Sequence, residues 1–119
     1  MKKEPKMVVF NIKKEINITE FASEVFKNFP EHAISLECHN YNYEKMQFSF
    51  YDYDEDEMYN LTRSKIENGV EKFINQYLDG MYPGFDLNQK LDIFNLYKWD
   101  GYITDGCMQV CIFGEIKYG

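Results

Sequence analysis

Hydrophobic residues along the chain switch between a two-residue and a helical period, and each switch marks a predicted element. Val8, Phe10 and Ile12 recur at every second position, which is typical of a strand over residues 7–12. The spacing then becomes that of one helical face. This face comprises Ile18, Phe21, Ala22, Val25, Phe26 and Phe29. Asn17 is placed to cap this helix, with Glu20 three residues on, and Pro30 is expected to end it.

Two further alternating segments and a second helix follow. Ile34, Leu36 and Cys38 predict one strand, and Met46, Phe48 and Phe50 predict the next, with residues 40–45 as a short hairpin link. Apolar residues then recur at the spacing of one helical face, and this helix is expected to end before Gly80. Glycine is a common C-terminal cap. The helical face comprises Ile66, Val70, Phe73, Ile74, Tyr77 and Leu78. Its pattern leaves the helix start open, near Asp54 or near Asn60.

The last third of the chain is rich in residues that favour strands. After a turn at residues 82–84, residues 90–99 carry strand-forming side chains on both faces, and residues 107–113 predict a final strand. Asp100-Gly101 and Asp105-Gly106 are turn dipeptides. The predicted order is β-α-β-β-α-β-β. This is a single α+β domain over residues 1–119, with two amphipathic helices on one face of a mostly antiparallel sheet, compatible with a ferredoxin-like topology.

The negative charge of the chain is concentrated in one segment. Of the net charge of −7, the window from Glu37 to Asn60 carries −6, from seven acids and one lysine. Five tyrosines are interleaved with these acids: Tyr41, Tyr43, Tyr51, Tyr53 and Tyr59. Concentrated charge produces a directional field, whereas scattered charge mainly aids solubility.

Several compartments and ligand classes are disfavoured by composition. No apolar run approaches the roughly 20 residues that cross a bilayer, and the apolar stretch before Lys13 is too short for a signal peptide. Three cysteines without framework spacing favour reduced thiols, and hence the cytoplasm. Arg63 is the sole arginine and the sequence pI is about 4.8. We therefore expect no direct binding of nucleic acid and no binding to membranes.

The candidate metal sites fail on their spacing. Asp52-x-Asp54-x-Asp56 resembles the start of a calcium-binding loop, but Glu57 and Arg63 occupy the positions that require Gly and Glu. On a strand, Cys107 and Cys111 lie about 13 Å apart, too far to share a zinc ion. Cys38 and His39 point to opposite faces. Buried, satisfied cysteines are the simpler interpretation.

The sequence contains no recognisable catalytic set. His32 and His39 are the only histidines, and neither lies in a known Cys-His or nucleophile motif, although pairing of Cys38 or Cys107 with His39 is compatible with the sequence. The glycines form no phosphate-binding loop. We expect no enzyme, no cofactor and no metal.

Two interpretations of the acidic, tyrosine-rich segment remain. In one, Asp52–Glu57 is a solvated edge that stabilises the start of the second helix. In the other, it binds a protein. The predicted contact residues are Tyr51, Asp52, Tyr53, Asp54, Glu55, Asp56, Glu57 and Tyr59. Tyrosine is enriched at interface hot spots, and carboxylates attract the basic groove of a nucleic-acid-handling protein.

The leading functional hypothesis is therefore a non-catalytic inhibitor that occupies such a groove in place of DNA or RNA. Nuclease-immunity, anti-restriction and anti-CRISPR proteins of bacteria and phages act in this way and serve as a functional analogy. One alternative is a small enzyme or ligand-binding domain with a pocket between sheet and helices. Another is a structural protein that self-associates, for example as a homodimer, through exposed tyrosines.

Overall fold

A computed structural model describes residues 4–10, 14–32, 36–87 and 89–118, with residues 31 and 32 described for their backbone only. The elements are β1 (Met7–Val9), β2 (Glu15–Asn17), α1 (Ile18–His32), β3 (Glu37–Asn42), β4 (Gln47–Asp52), β5 (Glu57–Leu61), α2 (Arg63–Leu78) and α3 (Gly101–Phe113). Short 3-10 turns lie at Pro83–Asp86 and Leu96–Lys98. Both sheets are antiparallel, so the predicted α+β class is confirmed, but the order of elements differs from the prediction.

The first strand pairs with a neighbour that the sequence did not reveal. β1 and β2 form a hairpin in which Val8 lies opposite Ile16. β2 has only three residues and one apolar side chain, which is too little for a detectable period. Phe10 is buried as expected, and Ile12 lies outside the described residues.

Helix α1 begins where its capping signal predicts. The side-chain oxygen of Asn17 accepts a hydrogen bond from the backbone N–H of Glu20 at 3.1 Å, and the predicted apolar face packs into the core. The prediction that Pro30 ends the helix was wrong, since α1 continues to His32. Proline disfavours a helical conformation at the preceding residue. That residue is Phe29, whose complete burial offsets the cost.

The second sheet has the strand order β3-β4-β5. Phe48 and Phe50 on the central strand face the core as predicted, and the Phe48 ring lies 4.0 Å from that of Phe26 on α1. Gln47, Ser49 and Tyr51 face outward. In β3 the pairing shifts between Cys38 and Asn40, which makes His39 a bulge. Leu36 is buried just before β3, and Ile34 lies outside the described residues.

The acidic run forms a hairpin turn and takes no part in a helix. Residues 53–56 connect β4 to β5, and Asp56 adopts the left-handed conformation, with φ 53°, that closes the turn. Helix α2 starts later, at Arg63, where Thr62 accepts a hydrogen bond from the backbone N–H of Lys65. The start near Asp54 is therefore wrong, whereas the alternative near Asn60 lies within three residues of the observed start. The interpretation of the acidic run as a helix cap is wrong. Gly80 follows α2 at φ 82°, as expected for a C-terminal cap.

The two strands predicted near the C-terminus were wrong. Residues 90–99 contain turns and the second 3-10 segment, and residues 107–113 belong to α3. Asp100 caps α3 by accepting from the backbone N–H of Ile103 at 2.9 Å, so Asp100-Gly101 starts a helix, and Asp105-Gly106 lies inside it. Every residue from Ile103 to Cys111 is buried, because α3 packs against α1, α2 and β5. A helix buried on all sides lacks the period that would distinguish it from a strand.

No helix within the described part of the chain is both long enough and apolar enough to cross a membrane.

Candidate functional site

The β4–β5 hairpin presents most of the predicted contact residues at one end of the sheet. Tyr53, Asp54, Glu55 and Asp56 form its turn, and Glu57 begins β5; all five are exposed. The turn extends the sheet beyond its paired residues, because the last β4–β5 pair is Asp52 with Glu57. A compact group of carboxylates therefore stands at the hairpin end.

Asp52 does not belong to this exposed group. It lies on the inward face of β4 with Phe48 and Phe50, and only 1% of it is exposed. Its carboxylate accepts hydrogen bonds from the Tyr118 hydroxyl at 2.6 Å and from the backbone N–H of Asp54 at 3.0 Å. The prediction of Asp52 as a contact residue was therefore wrong, because two-residue alternation directs it inward.

Glu55 and Tyr59 are partly engaged within the fold. Glu55 forms an ion pair with Lys117, and it also accepts a hydrogen bond from the Tyr59 hydroxyl at 3.2 Å. The Tyr59 ring is half-buried and meets the Phe113 ring edge-on at 5.2 Å. The lysine neutralises one carboxylate of the hairpin.

Aromatic rings and a methionine lie beside the acids on the outer face of the sheet. Tyr51 stacks on His39 at 5.5 Å and meets Tyr53 edge-on at 4.7 Å. Met58 lies opposite Tyr51 on β5, and 44% of it is exposed. Tyr53 is 66% exposed and donates a hydrogen bond to Glu37. We define the acid–tyrosine patch as Glu37, His39, Tyr51, Tyr53, Asp54, Asp56, Glu57 and Met58.

Nearby carboxylates and burial raise the pKa values of three phenols around the hairpin. The hydrogen bond to Glu37 raises the pKa of Tyr53, and burial together with Glu57 and Asp52 raises the pKa of Tyr59. The hydrogen bond to Asp52, followed by burial, raises the pKa of Tyr118 to about 12. The ionisation of these three hydroxyls is therefore displaced to higher pH than that of a free tyrosine.

The C-terminal tail holds the inner side of the hairpin. Gln109, buried on α3, accepts hydrogen bonds from the backbone N–H groups of Lys117 and Tyr118 and donates one to the Tyr118 carbonyl oxygen. This places Tyr118 against Asp52 and Lys117 against Glu55. The hairpin is therefore anchored to the helical core on one side and open on the other.

Neither Cys38 nor Cys107 has the lowered thiol pKa of an activated nucleophile. Cys107 and Cys111 are buried on α3, where burial and then Cys111 raise the pKa of the Cys107 thiol. Burial also raises the pKa of Cys38, whereas an activated cysteine needs a lowered pKa. His39 stacks on Tyr51 and lies 3.6 Å from Glu37. The side chain of His32 is outside the described structure.

The fold separates the aspartates of the candidate calcium motif but brings Cys107 and Cys111 together on one helix. Asp52 faces the core while Asp54 and Asp56 are exposed in the turn. Cys107 and Cys111 are one helical turn apart on α3, and not on a strand as predicted. Within the described ranges, no three His, Cys, Asp or Glu side chains are grouped so as to hold a metal ion.

The sequence analysis missed Glu37, His39 and Met58 as members of the patch. Glu37 and His39 reach it because β3 pairs with β4, a long-range arrangement that local patterns do not encode. Met58 is on β5, which was not predicted. The structure turns Tyr59 and Leu61 inward and leaves Met58 and Asn60 exposed, but the apolar Met58 at an outward position obscures this alternation in the sequence.

Comparison of the chain with known protein families, curated proteins and solved structures finds no match. The function is therefore argued from the surface itself.

Proposed function

We propose that the protein is a non-catalytic inhibitor that binds, through the acid–tyrosine patch, the basic groove of a nucleic-acid-handling protein. The observation that carries this proposal is the concentration of charge at the hairpin end. Glu37, Asp54, Asp56 and Glu57 stand there, and Lys117, which reaches this end of the sheet, is paired with Glu55. Such a surface attracts Lys and Arg over a Debye length of about 8 Å at physiological salt.

The composition of the outer face supports a protein partner. Tyrosine and methionine are enriched at protein interfaces, and tyrosine buries a large area at low entropic cost. Tyr51, Tyr53 and Met58 supply such an area, and carboxylates border it. The aromatic residues would anchor the complex, while the carboxylates would replace phosphates of the bound nucleic acid.

The partner is identified by capture at two salt concentrations. Immobilised protein is incubated with a host lysate at low and high salt, and the retained proteins are identified by mass spectrometry. The proposal expects a nuclease or another nucleic-acid-binding protein, retained at low salt and released at high salt. Purified partner is then titrated with the protein in the presence and absence of DNA or RNA. Binding that nucleic acid does not weaken would contradict the proposed competition.

A neutralised variant tests the patch directly. Asp54→Asn, Asp56→Asn and Glu57→Gln are combined, with Glu55 left in place so that the Lys117 contact is kept. Glu15→Gln, Glu20→Gln and Asp79→Asn form the matched control, since these exposed acids are elsewhere and the change in net charge is equal. We expect the first variant to lose at least tenfold in affinity and the control to lose little. Equal losses would show that only net charge matters.

The other functional classes are tested alongside. Sedimentation at several protein concentrations would reveal a homodimer, because the measured mass would rise with concentration.

The ligand-binding alternative requires a pocket that holds a carboxylate with a strongly shifted pKa. Asp86 has a lowered pKa, caused first by the Leu91 backbone N–H and then by the Tyr77 hydroxyl, so its shift has a structural origin. We place the protein in the cytoplasm, on the basis of its three free thiols.

A further inference from the structure

Strand β1 pairs only with β2 among the described strands, so one of its edges has no partner strand. The backbone N–H of Phe10 donates to the Lys14 carbonyl oxygen at 3.0 Å. The backbone N–H of Ile18 donates to the Lys6 carbonyl oxygen at 2.9 Å. In an antiparallel pair, hydrogen-bonded positions alternate with positions whose N–H and C=O point away from the neighbouring strand. The even-numbered positions of this segment therefore face β2, and the odd-numbered positions face the open edge.

Met7 and Val9 are the odd-numbered residues of β1, so their backbone N–H and C=O groups point to the open edge. No described residue is hydrogen-bonded to these groups. The side chains of Met7 and Val9 are 49% and 68% exposed, whereas Val8 packs against the core. The edge of β3, by contrast, is interrupted by the bulge at His39, a feature that hinders strand pairing. The edge of β1 is therefore apolar and ready to pair with another strand.

The open edge of β1 is complementary to itself. When two copies of β1 run antiparallel, with a twofold axis between their Val8 residues, Met7 of each copy lies opposite Val9 of the other. Both residues carry outward backbone groups, so each Met7–Val9 pair exchanges both of its N–H···O=C bonds. The same register brings the exposed side chains of both copies together on one face of the joined sheet.

We infer that two copies of the protein associate through this edge and form a four-stranded sheet with the order β2-β1-β1-β2. A second copy is the expected occupant because the register satisfies the edges of both chains at once. The strand has no residue in common with the acid–tyrosine patch. The inference therefore does not rest on the proposed function, and its test is independent of it.

Charge permits this contact, although each copy carries a net charge of −7. β1 has no charged residue, and the ammonium group of Lys6 is held within its own chain by Asn68 at 2.7 Å and Glu71 at 3.5 Å. Glu15, which lies opposite Val9 on β2, is the acid closest in register. The two copies of Glu15 are three strand spacings apart, at least about 14 Å, which exceeds the Debye length of about 8 Å.

Sedimentation equilibrium of the intact protein from about 10 μM to about 1 mM tests the inference. Because strands of three residues make a small interface, we expect a weak dimer, with a mass that rises above 14.3 kDa toward the upper concentrations. Val9→Pro removes an outward N–H that the monomer does not use, and edge strands accept proline at such positions. It should weaken association at least tenfold. Tyr53→Ala, the control on the acid–tyrosine patch, should change association little.

Two charge variants test the register. Met7→Lys with Val9→Glu places opposite charges across the twofold axis, whereas Met7→Lys with Val9→Lys places like charges there. The first should associate at least about fivefold more tightly than the second. Net charge alone predicts the reverse order, because the first variant keeps the charge of −7 and the second is less negative by two.

Circular dichroism checks that each variant is folded, as expected for exposed positions. If Val9→Pro does not fold, the charge variants still decide, since they keep every backbone N–H. A mass of 14.3 kDa at every concentration would overturn the inference, as would equal association of the two charge variants. So would a dimer that Val9→Pro leaves intact, or one that Tyr53→Ala dissociates, because the interface would then lie on the exposed tyrosines.

Discussion

Gly69 on α2 and Cys111 on α3 lie so close that a side chain at position 69 has no room. A Cβ atom built on Gly69 would be 2.5 Å from both the Cα and the Sγ of Cys111. The Cys111 thiol also approaches the Ile66 carbonyl oxygen at 3.7 Å. The absence of a side chain therefore allows the two helix backbones into contact, and this contact sets the position of α3 in the core.

Replacement of Gly69 by alanine should destabilise the protein by about 1–3 kcal/mol, the range for an overpacked core. In an isolated helix the same change stabilises by up to about 1 kcal/mol, so the sign of the effect reports on the helix contact. Urea unfolding measures it. Gly84→Ala is the control, because no atom lies within 4 Å of its added Cβ. A Gly69→Ala variant as stable as the wild type would contradict the close approach.

The fold could be predicted from the sequence wherever one face of an element is buried and the other is solvated. α1, β4 and α2 meet this condition, and their stripes at Phe26, Phe48 and Phe73 identified them. α3 does not, because packing surrounds it on nearly all sides and removes the contrast. The sequence did not predict β2 for a different reason, since three residues are too few to show a period.

The candidate site was predictable in composition but not in arrangement. The acids and tyrosines were found from their density along the chain. That Asp52 turns inward follows from its alternation with Phe48 and Phe50, once β4 is known to extend that far. The pairing of Glu55 with Lys117 joins residues 62 positions apart, which no local pattern could reveal.

The same substitution should destabilise the protein at Asp52 far more than at Asp54. Asp52→Ala removes the acceptor for the Tyr118 hydroxyl and the Asp54 N–H, so we expect a loss of about 1–3 kcal/mol in the free energy of unfolding. Asp54→Ala should change it by less than about 0.5 kcal/mol, because this side chain is exposed. Chemical denaturation of both variants is the measurement. Equal effects would show that Asp52 is not held in the core.

Arg63, the sole arginine, stabilises the junction of α1, α2 and the N-terminal segment. Its guanidinium donates to Glu67 at 3.1 Å and to the Glu4 carbonyl oxygen at 3.2 Å, and the Thr19 hydroxyl donates to the same Glu67 carboxylate at 2.7 Å. The side chains of Arg63 and Glu67 are only 18% and 10% exposed. We therefore assign this arginine a structural role.

Arg63→Met should lower the free energy of unfolding by roughly 2–3 kcal/mol, because it leaves the Glu67 carboxylate with Thr19 alone in a nearly buried position. The double variant Arg63→Met with Glu67→Met should lose less than the sum of the single losses, since it leaves no unpaired charge. A double-mutant cycle from denaturation curves measures this coupling. Additive losses would show that the two side chains do not interact.

Stability should fall at alkaline pH through two tyrosines. Burial and the Asp86 contact raise the pKa of Tyr77 to about 12, as the Asp52 hydrogen bond does for Tyr118, while the unfolded value is 10.0. Because both pKa values are raised in the folded state, the contribution is complete below pH about 10 and is lost as the pH rises to about 12. Asp92 near Tyr77, and Asp54 and Tyr59 near Tyr118, act in the same direction.

Urea midpoints followed from neutral pH to pH about 12 should therefore stay level and then decline. The double variant Tyr77→Phe with Tyr118→Phe is less stable at neutral pH, and its alkaline decline should be smaller because neither phenol can ionise. Tyrosinate absorbance, recorded in the same titration, should lack the two late transitions of the wild type. If the double variant declines as steeply as the wild type, other groups such as the lysines cause the loss, and the two hydrogen-bonded phenols are not responsible.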